Sequence, residues 1–366
     1  MWNEVEQLLY EGVEQNLFSG CALCVRTVDE ELYIGARGME QRTPQQHRAT
    51  TNSIWDIASV TKILCTAHLY LNAASKGHIL PSAELCHYFP NAAPDIKIEH
   101  LLSHSAGYPA WRPFYSAYIK DIPQWSSGIH KKDVFRRALA TSIEAMPLAQ
   151  HRYSDIGFII LSAVLEKHYG QPLQKVWEEQ LPVEATHGLS WGAEHAAATE
   201  DCPVRKKVIV GSVHDLNAAS MGGVSGHAGL FGDVRSVAAA SNWPLRVIHN
   251  QIEDLNKSVI EDFWKYRGAG SHCMGWDTPS LIGSSASELW PSYAVGHLGF
   301  TGCSVWLAID EGLTVCFLSN RVHPLIEGGA VPFAPPHPRL MAYKKFRPEL
   351  HRRIWRTLQK HGVLSE

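Results

Sequence analysis

Long apolar runs are missing from this chain: none reaches the roughly 18 residues that a membrane-spanning helix requires. The first residues, Met1 to Glu6, lack the basic start, apolar middle and small-residue cleavage site of a secretory signal. An excess of one charge is also missing, because 33 lysines and arginines face 36 aspartates and glutamates. Such a balance gives no electrostatic reason to bind nucleic acid or an anionic membrane. We therefore expect a cytoplasmic protein with no nucleic-acid and no membrane partner.

Metal and cofactor motifs are scarce, and the sequence predicts neither a metal nor a cofactor. Cys21 and Cys24 form a C-x-x-C pair, but they lie in a predicted strand, where residues three apart point to opposite faces. We interpret them as buried free thiols. His100 and His104 are four residues apart, yet no H-E-x-x-H pattern accompanies them. The glycine-rich loop Gly222–Gly232 lacks the Gly-Lys-Ser/Thr of a phosphate-binding loop.

The order of predicted elements is strands, a long helical middle, and strands again. β-Rich runs predict strands at Gly20–Thr27, Glu31–Gly35, Ser304–Ile309 and Leu313–Leu318. Helical periodicity predicts helices at 2–16, Val60–Lys76, Ile96–Ser105, Lys131–Ala140, Ile156–His168, Pro172–Leu181, Val234–Asn242, Pro244–Phe263 and Leu340–Lys360. Residues 182–212 and the proline-rich stretch 332–338 are predicted to be irregular.

This order predicts an α+β fold in a single domain, 1–366. Strands from both chain ends would form one antiparallel sheet flanked by helices, and the middle of the chain would form an inserted all-helical lobe. We place the α/β lobe at about 1–58 and 290–366, and the helical lobe at about 59–289.

The stretch Ser59-Val60-Thr61-Lys62 carries the first chemical signal. Ser59 stands where a helix begins, and serine is a preferred capping residue. The third position after a capping serine often holds Glu or Gln, whereas here it holds Lys62, a cation at the positive end of the helix dipole. We expect the dipole and burial to lower the pKa of Lys62 until it can act as a base for Ser59. A capped helix with a solvated lysine is the alternative.

Further motifs follow in the order of a known superfamily. Tyr153-Ser154-Asp155 precedes a predicted helix, and His297-Leu298-Gly299 precedes a predicted strand. With S-x-x-K they resemble the S-x-x-K, Y-x-N and K-T-G or H-x-G motifs of serine β-lactamases and penicillin-binding proteins, closest to the class C-like branch with its esterases and D-amino-acid peptidases. Segments 101–107 and 226–231 resemble two more motifs of that family. The resemblance spans roughly 17–325 and implies a β-lactamase/transpeptidase-like fold.

The resemblance implies a role for each matching residue. Ser59 would be the nucleophile of an acyl-enzyme mechanism, and Lys62 and Tyr153 would share the work of the base. Because an unperturbed tyrosine has a pKa of about 10, Tyr153 needs Lys62 nearby to become a useful proton acceptor. The backbone N–H groups of Ser59 and Phe300 would form the oxyanion hole, and Gly299 would let substrate and backbone approach closely.

Two other segments have a less specific signal. Trp111 lies in the aromatic and proline-rich stretch Tyr108–Tyr115, which is either a rigid surface loop or a wall of the substrate pocket. The pair His214 and Asp215 resembles a V-H-D segment of related hydrolases. We interpret this pair as structural rather than catalytic.

Three positions depart from the β-lactamase pattern. Asp155 stands where those enzymes carry Asn, and an ionised carboxylate accepts hydrogen bonds but cannot donate them. His297 stands where they carry Lys, and it is a poorer fixed cation for a substrate carboxylate. Leu298 replaces a Thr and removes a hydroxyl. These changes weaken the recognition of an acidic β-lactam or peptide and leave the acyl-transfer groups intact.

We therefore predict a serine hydrolase that acts on small esters or amides, with a carboxylesterase-type activity. A β-lactamase or D-Ala-type peptidase on the same fold is the first alternative. A catalytically silent binding or sensor protein is the second. The sequence leaves the acyl group, the leaving group and the oligomeric state open.

Overall fold

A six-stranded antiparallel sheet joins the two ends of the chain. The computed structural model describes residues 1–280, 283–324 and 338–365. Its strands are β1 (Gly20–Thr27), β2 (Glu31–Gln41), β3 (His47–Arg48), β4 (Trp55–Asp56), β5 (Leu189–Trp191), β6 (Asp201–Cys202), β7 (Lys207–Val208), β8 (Leu230–Gly232), β9 (Val295–Leu298), β10 (Ser304–Ala308) and β11 (Leu313–Ser319). The large sheet has the order β3-β2-β1-β11-β10-β9. The pairing of β1 with β11 confirms a sheet built from both chain ends.

The two faces of the sheet contact two separate clusters of buried apolar side chains. On β1, Leu23 belongs to the cluster that includes the first and last helices, whereas Ala22 belongs to the large core formed by the middle of the chain. Adjacent residues alternate between the clusters because strand side chains point to alternate faces. Cys21 and Cys24 accordingly lie on opposite faces as free thiols, as predicted, and burial raises the pKa of each to about 12.

Helices cover both faces of the sheet. They are α1 (Asn3–Glu14), α2 (His68–Ser75), α3 (Ile98–Leu102), α4 (Lys131–Leu139), α5 (Asp155–Tyr169), α6 (Leu173–Gln180), α7 (Val183–Thr186), α8 (Leu216–Ser220), α9 (Val234–Ser241), α10 (Trp243–Ile248), α11 (Lys257–Lys265) and α12 (Pro338–Lys360). Helix α1 packs on α12, and α9 packs on β1 and β11 from the opposite side. The predicted α+β fold is confirmed. Within the described ranges, no helix combines the length and apolar character needed to cross a membrane.

Several local predictions were wrong. The helix predicted at Pro244–Phe263 is two helices, α10 and α11, because the Asn256 side chain accepts the Ser258 N–H and starts α11 anew. The region 182–212, predicted to be irregular, includes α7, β5, β6 and β7. The loop predicted at Gly222–Gly232 ends in β8, which pairs with β4 and β5 in a small second sheet.

The proline-rich stretch and the division into lobes are two predictions that the described residues do not decide. Residues 332–337 of the proline-rich stretch lie outside the described residues, and Pro338 begins α12. The division into lobes near residues 58 and 290 remains a proposal.

Gly107 provides a test of backbone packing in the segment 101–107. It has a φ of +84°, and a Cβ there would lie 2.0 Å from the carbonyl oxygen of Ala145. Gly77 has a φ of +70°, but a Cβ there would meet no atom within 4 Å. We expect Gly77→Ala to lower the free energy of unfolding by roughly 1–2 kcal/mol, and Gly107→Ala to lower it by about 1–3 kcal/mol more, because the added methyl overpacks the site. Urea unfolding measures both, and equal losses would contradict the expectation.

Candidate active site

Ser59 lies in an irregular turn that follows strand β4. Ala58 has a φ of +47°, which residues other than glycine rarely adopt, and the residues around it form a 3-10 turn. The Asp56 carboxylate holds this turn, since Oδ1 accepts the Ala58 N–H at 2.8 Å and Oδ2 accepts the His214 N–H at 2.6 Å. The prediction that Ser59 caps a regular helix was wrong. Its hydroxyl contacts Lys62 instead.

Lys62 lies at the centre of the site, in a π-helical turn over Lys62–Ala67 that precedes α2. Its side chain has no solvent exposure. Its Nζ is 2.9 Å from Ser59 Oγ, 2.7 Å from Asp155 Oδ1 and 3.2 Å from the carbonyl oxygen of His227. Two of these oxygens, Ser59 Oγ and the His227 carbonyl, accept hydrogen bonds from the ammonium group, and Asp155 Oδ1 forms an ion pair with it.

The charge state of Lys62 differs from the sequence prediction. Burial by itself lowers the pKa of Lys62, but the charge of Asp155 and the contact with Tyr153 outweigh burial and raise that pKa above its usual value. The expectation of a lysine depressed toward neutrality was therefore wrong. Lys62 rests as an ammonium ion, because the fold brings a carboxylate against it.

Helix α5 begins with the predicted Tyr153-Ser154-Asp155 motif, and Ser154 fixes its position. The Ser154 Oγ accepts the Gly157 N–H at 3.3 Å and donates to the carbonyl of Pro109 at 2.7 Å. Because Ser154 serves as the N-cap, the side chains on either side of it are held at the helix start. Both of these side chains are directed to Lys62.

Tyr153 completes a group of three residues that the sequence analysis proposed as catalytic. Its ring centroid is 4.8 Å from Lys62 Nζ, and both Lys62 and Ser59 act to lower the pKa of its hydroxyl. Burial raises the pKa of Tyr153, although the charge of Lys62 acts in the opposite direction. Tyr153 therefore rests as a neutral phenol. The structure brings Ser59, Lys62, Tyr153 and Asp155 together, and their roles in a reaction remain predictions.

Gly299 and Phe300 lie beside the turn that carries Ser59. A Cβ on Gly299 would be 2.6 Å from the carbonyl oxygen of Ile57, so only glycine lets the two segments approach this closely. Phe300 is 59% exposed, and its ring stacks on His214 with centroids 5.3 Å apart. The oxyanion hole formed by the N–H groups of Ser59 and Phe300 remains a prediction.

Trp111 is joined to the start of α5 through its neighbour in the chain. The preceding residue, Ala110, accepts the Asp155 N–H at 2.9 Å, and the Trp111 ring is 6.3 Å from that of Tyr115. Trp111 is partly exposed and packs against the large core. Its role as a pocket wall remains a prediction.

Buried histidines surround the other side of Tyr153. His104, His272 and His297 place ring nitrogens within 4.8 Å of one another, as a metal site would require. However, His104 Nδ1 accepts the Ser154 N–H at 3.0 Å, so the neutral ring carries its proton on Nε2 and has no lone pair there for a metal. His297 donates from Nδ1 to the Leu298 carbonyl at 2.8 Å. His297 keeps a lone pair on Nε2, so His104 is the member of the three whose tautomer does not suit a metal site, and the absence of a resident metal stays a prediction.

Burial also decides the charge of His297. The side chain is 2% exposed, and burial lowers its pKa well below the usual value, with a further contribution from the charge of Lys62. His297 is therefore a neutral ring at pH 7. This agrees with the expectation that it is a poor substitute for the lysine of β-lactamases.

Sequence reasoning left His227 without a role, although it noted the segment that contains this residue. The His227 ring is hydrogen-bonded through Nε2 to Asp215 Oδ1 and through Nδ1 to Ser225 Oγ, both at 2.8 Å. Its carbonyl oxygen accepts from Lys62. Asp215 in turn caps α8 by accepting the Ala218 N–H at 2.7 Å. Asp215 is thus structural, as interpreted, and supports the peptide that binds Lys62.

Asp56 was missed entirely. Its contacts with Ala58 and His214 join the Ser59 turn to a segment more than a hundred residues away in the sequence. No motif in the local sequence distinguishes this aspartate from a surface carboxylate.

The sheet between helices and the contact between Ser59 and Lys62 fit the serine hydrolase superfamily. A family model described as "Beta-lactamase" matches residues 5–330, and the chain belongs to this family. A putative D-alanyl-D-alanine carboxypeptidase of Escherichia coli K12 is 26% identical over 346 residues, covering 82% of this chain and 78% of the relative. An N-acetylmuramyl-L-alanine amidase of Bacillus subtilis is 27% identical, covering 76% of this chain and 70% of the relative.

Solved structures agree with the fold. EstCE1, described as a hydrolase with promiscuous acyltransferase activity, has a TM-score of 0.70 with 17% identity, and the alignment covers 94% of this chain and 97% of the other. At this identity the likeness concerns the fold alone. The predicted β-lactamase/transpeptidase-like fold is confirmed.

The contribution of Asp215 to the free energy of unfolding should depend on pH, and this dependence tests whether Asp215 stabilises the peptide that contacts Lys62. Burial raises the pKa of Asp215, but His227, the Ala218 N–H and His214 outweigh burial and lower it below the usual value. A carboxylate with a lowered pKa stabilises the fold above its unfolded pKa of about 3.9, and this stability is lost as the pH falls below that value. We expect Asp215→Asn to lower the free energy of unfolding at pH 7 by about 1–3 kcal/mol, and the difference from wild type to shrink below about pH 4.

Urea unfolding at a series of pH values between about 2.5 and about 8 measures this difference in stability. The control is Glu261→Gln, which removes an exposed carboxylate paired with Lys265 and should change stability little. A loss for Asp215→Asn that stays constant across this range would contradict the assignment.

Proposed function

We propose that this protein is a serine hydrolase that works through an acyl-enzyme on small, neutral esters or amides, with a carboxylesterase-type activity. The observation that carries this proposal is the 2.9 Å contact between Ser59 Oγ and a fully buried Lys62 Nζ. Tyr153 lies against both residues. A serine hydroxyl becomes a nucleophile when a positioned base takes its proton, and this group supplies the base.

The proposed reaction has two halves. In the first, Ser59 Oγ attacks the carbonyl carbon, the Ser59 proton passes into the Lys62 and Tyr153 group, and the oxyanion accepts hydrogen bonds from the N–H groups of Ser59 and Phe300. Collapse of this intermediate expels the alcohol or amine, which takes the proton back. In the second half, water attacks the acyl-enzyme in the same way and releases the acid.

The charges around Ser59 favour a neutral substrate. His297 is buried and neutral, and the Lys62 ammonium is already paired with Asp155 at 2.7 Å. Neither side chain is free to pair with the carboxylate of a β-lactam or of a peptide C-terminus, and a missing charge-assisted contact costs about 1.5–3 kcal/mol. A short ester requires only the nucleophile, the base and the oxyanion hole.

A second candidate function is a D-Ala-type carboxypeptidase. It is favoured by the similarity to the putative D-alanyl-D-alanine carboxypeptidase of Escherichia coli, which covers 82% of this chain. The absence of a free cation among the site residues named above argues against it, since that reaction places a carboxylate beside the scissile amide.

Ser59→Ala tests the nucleophile. We expect wild type to be labelled covalently by a fluorophosphonate and to hydrolyse p-nitrophenyl acetate, and we expect Ser59→Ala to lose both properties, because no other residue takes the place of the hydroxyl. Intact-mass spectrometry and absorbance measure the two properties, and circular dichroism confirms the fold. Ser190→Ala, which removes an exposed hydroxyl bonded to the Gly192 carbonyl, is the matched control. Labelling of Ser59→Ala at the wild-type rate would reject the assignment.

Substrate preference separates the two candidate functions. We expect kcat/KM for p-nitrophenyl acetate to exceed that for a chromogenic cephalosporin and for a D-Ala-D-Ala peptide by roughly ten- to a hundredfold, the factor that corresponds to one missing charge-assisted contact. All three substrates are compared in one buffer, with steady-state rates as the readout. A peptide or cephalosporin that is turned over as efficiently as the best ester would replace the esterase proposal with the corresponding alternative.

A further inference from the structure

The resting charge of Lys62 raises a question about the identity of the base. An ammonium ion has no lone pair, so Lys62 cannot accept the Ser59 proton until it has lost one of its own. Its pKa is raised by its surroundings, so the neutral amine is rare at pH 7. The site therefore needs a group that takes a proton from Lys62 during the reaction.

The contacts of Lys62 leave one suitable acceptor. The carbonyl oxygen of His227 is not a base, and Ser59 Oγ is the nucleophile itself. Tyr153 is already a neutral phenol whose pKa is raised by burial. Asp155 is the remaining neighbour: its Oδ1 lies 2.7 Å from Nζ, and it is the one anion among these contacts.

The other titratable groups that face Lys62 do not compete for this role. His104, His272 and His297 approach from separate segments, and burial is the largest of the effects that lower the pKa of each ring. They are neutral at pH 7 and lie on the Tyr153 side of the site. The ring of Phe158 covers Lys62 with its centroid 5.6 Å from Nζ.

We propose that Asp155 is the proton acceptor of this site and acts through Lys62. This inference rests on the proposed function. As Ser59 Oγ bonds to the carbonyl carbon, the Ser59 O–H bond breaks and a new N–H bond forms on Lys62. For this to happen, one of the original Lys62 N–H bonds must break first, and that proton bonds to Asp155 Oδ1 and leaves a lone pair on Nζ for the Ser59 proton.

The proton returns when the intermediate collapses. The carbonyl electron pair that moved to the oxyanion reforms the C=O bond, and the leaving group departs with its own bonding pair. Lys62 gives the leaving group a proton, and Asp155 returns its proton to Lys62. In the intermediate the side chains carry one net positive charge, because Asp155 is protonated while Lys62 is an ammonium ion, and the oxyanion supplies the matching negative charge.

This role explains why a carboxylate stands where the family carries an amide. The side chain of Asn cannot accept a proton, so with Asn at this position the lysine must already be neutral to act as a base. With Asp the lysine rests charged, and the carboxylate receives the proton. The change at residue 155 therefore replaces a neutral lysine base with a two-proton relay.

The pH dependence of Ser59 reactivity tests this relay without relying on any substrate. The second-order rate of fluorophosphonate labelling is measured from pH 5 to pH 10, a range chosen to bracket neutrality, together with kcat/KM for p-nitrophenyl acetate. We expect the wild-type rates to be flat from neutral to alkaline pH, because the Asp155 carboxylate is available to take the lysine proton throughout. We expect Asp155→Asn to be slower than wild type wherever Lys62 is still an ammonium ion and to gain rate as rising pH yields the neutral amine, because an amide cannot take the lysine proton.

Two variants serve as comparisons. Asp155→Glu keeps the carboxylate and should recover part of the rate at pH 7 and the flat alkaline profile. Glu261→Gln, a carboxylate-to-amide change in an exposed pair with Lys265, should match wild type at every pH.

Either of two results for Asp155→Asn would overturn the proposal. A wild-type rate and profile would show that the carboxylate is not needed. A slow rate with the wild-type profile would show that Asp155 only positions Lys62. If Asp155→Asn fails to fold, Asp155→Ala is assayed with added formate or formamide. Recovery with formate alone supports the relay, and recovery with neither or with both rejects it.

These experiments can reject the proton relay and the proposed function independently of each other. If wild type is labelled at Ser59 but hydrolyses none of the tested esters, the proposed function fails while the labelling profiles still decide the relay. If esters are hydrolysed and Asp155→Asn behaves as wild type, the proposed function stands and the relay is rejected.

Discussion

The structure of the site depends on one buried charge, the ammonium group of Lys62. Removing the partner of a buried ion pair typically costs 3–5 kcal/mol, because an uncompensated charge remains in a low dielectric. The three acceptors of Lys62 come from separate parts of the chain: its own turn, the start of α5, and the segment before β8. These segments must therefore pack together before the lysine can be buried, which links folding of the domain to assembly of the site.

The small sheet of β4, β8 and β5 holds segments that are distant in the sequence next to one another. Strands β4 and β8 pair directly, so the turn that carries Ser59 and the peptide of His227 are held side by side. On the other side, Thr301 Oγ1 donates to the carbonyl of Asp56 at 2.8 Å and holds the Phe300 segment against the same turn. The nucleophile thus lies between two neighbours that are fixed by backbone contacts, which preorganises the site.

Asp155 determines the electrostatics at the centre of the site. Its carboxylate raises the pKa of Lys62, whereas burial keeps the nearby histidines neutral. The charged groups in contact at the centre of the site, Lys62 and Asp155, are therefore one cation and one anion that neutralise each other.

The sequence by itself determined the fold class, the strands β1, β10 and β11, and the grouping of Ser59, Lys62 and Tyr153, because hydrophobic periodicity and ordered motifs are local signals. It did not determine the π-helical turn at Lys62, the β4–β8 pairing, or the roles of Asp56 and His227, which arise from contacts between remote residues. It also gave the wrong direction for the pKa of Lys62. A pKa depends on which charges lie within a few ångströms, and only the tertiary structure placed Asp155 at 2.7 Å.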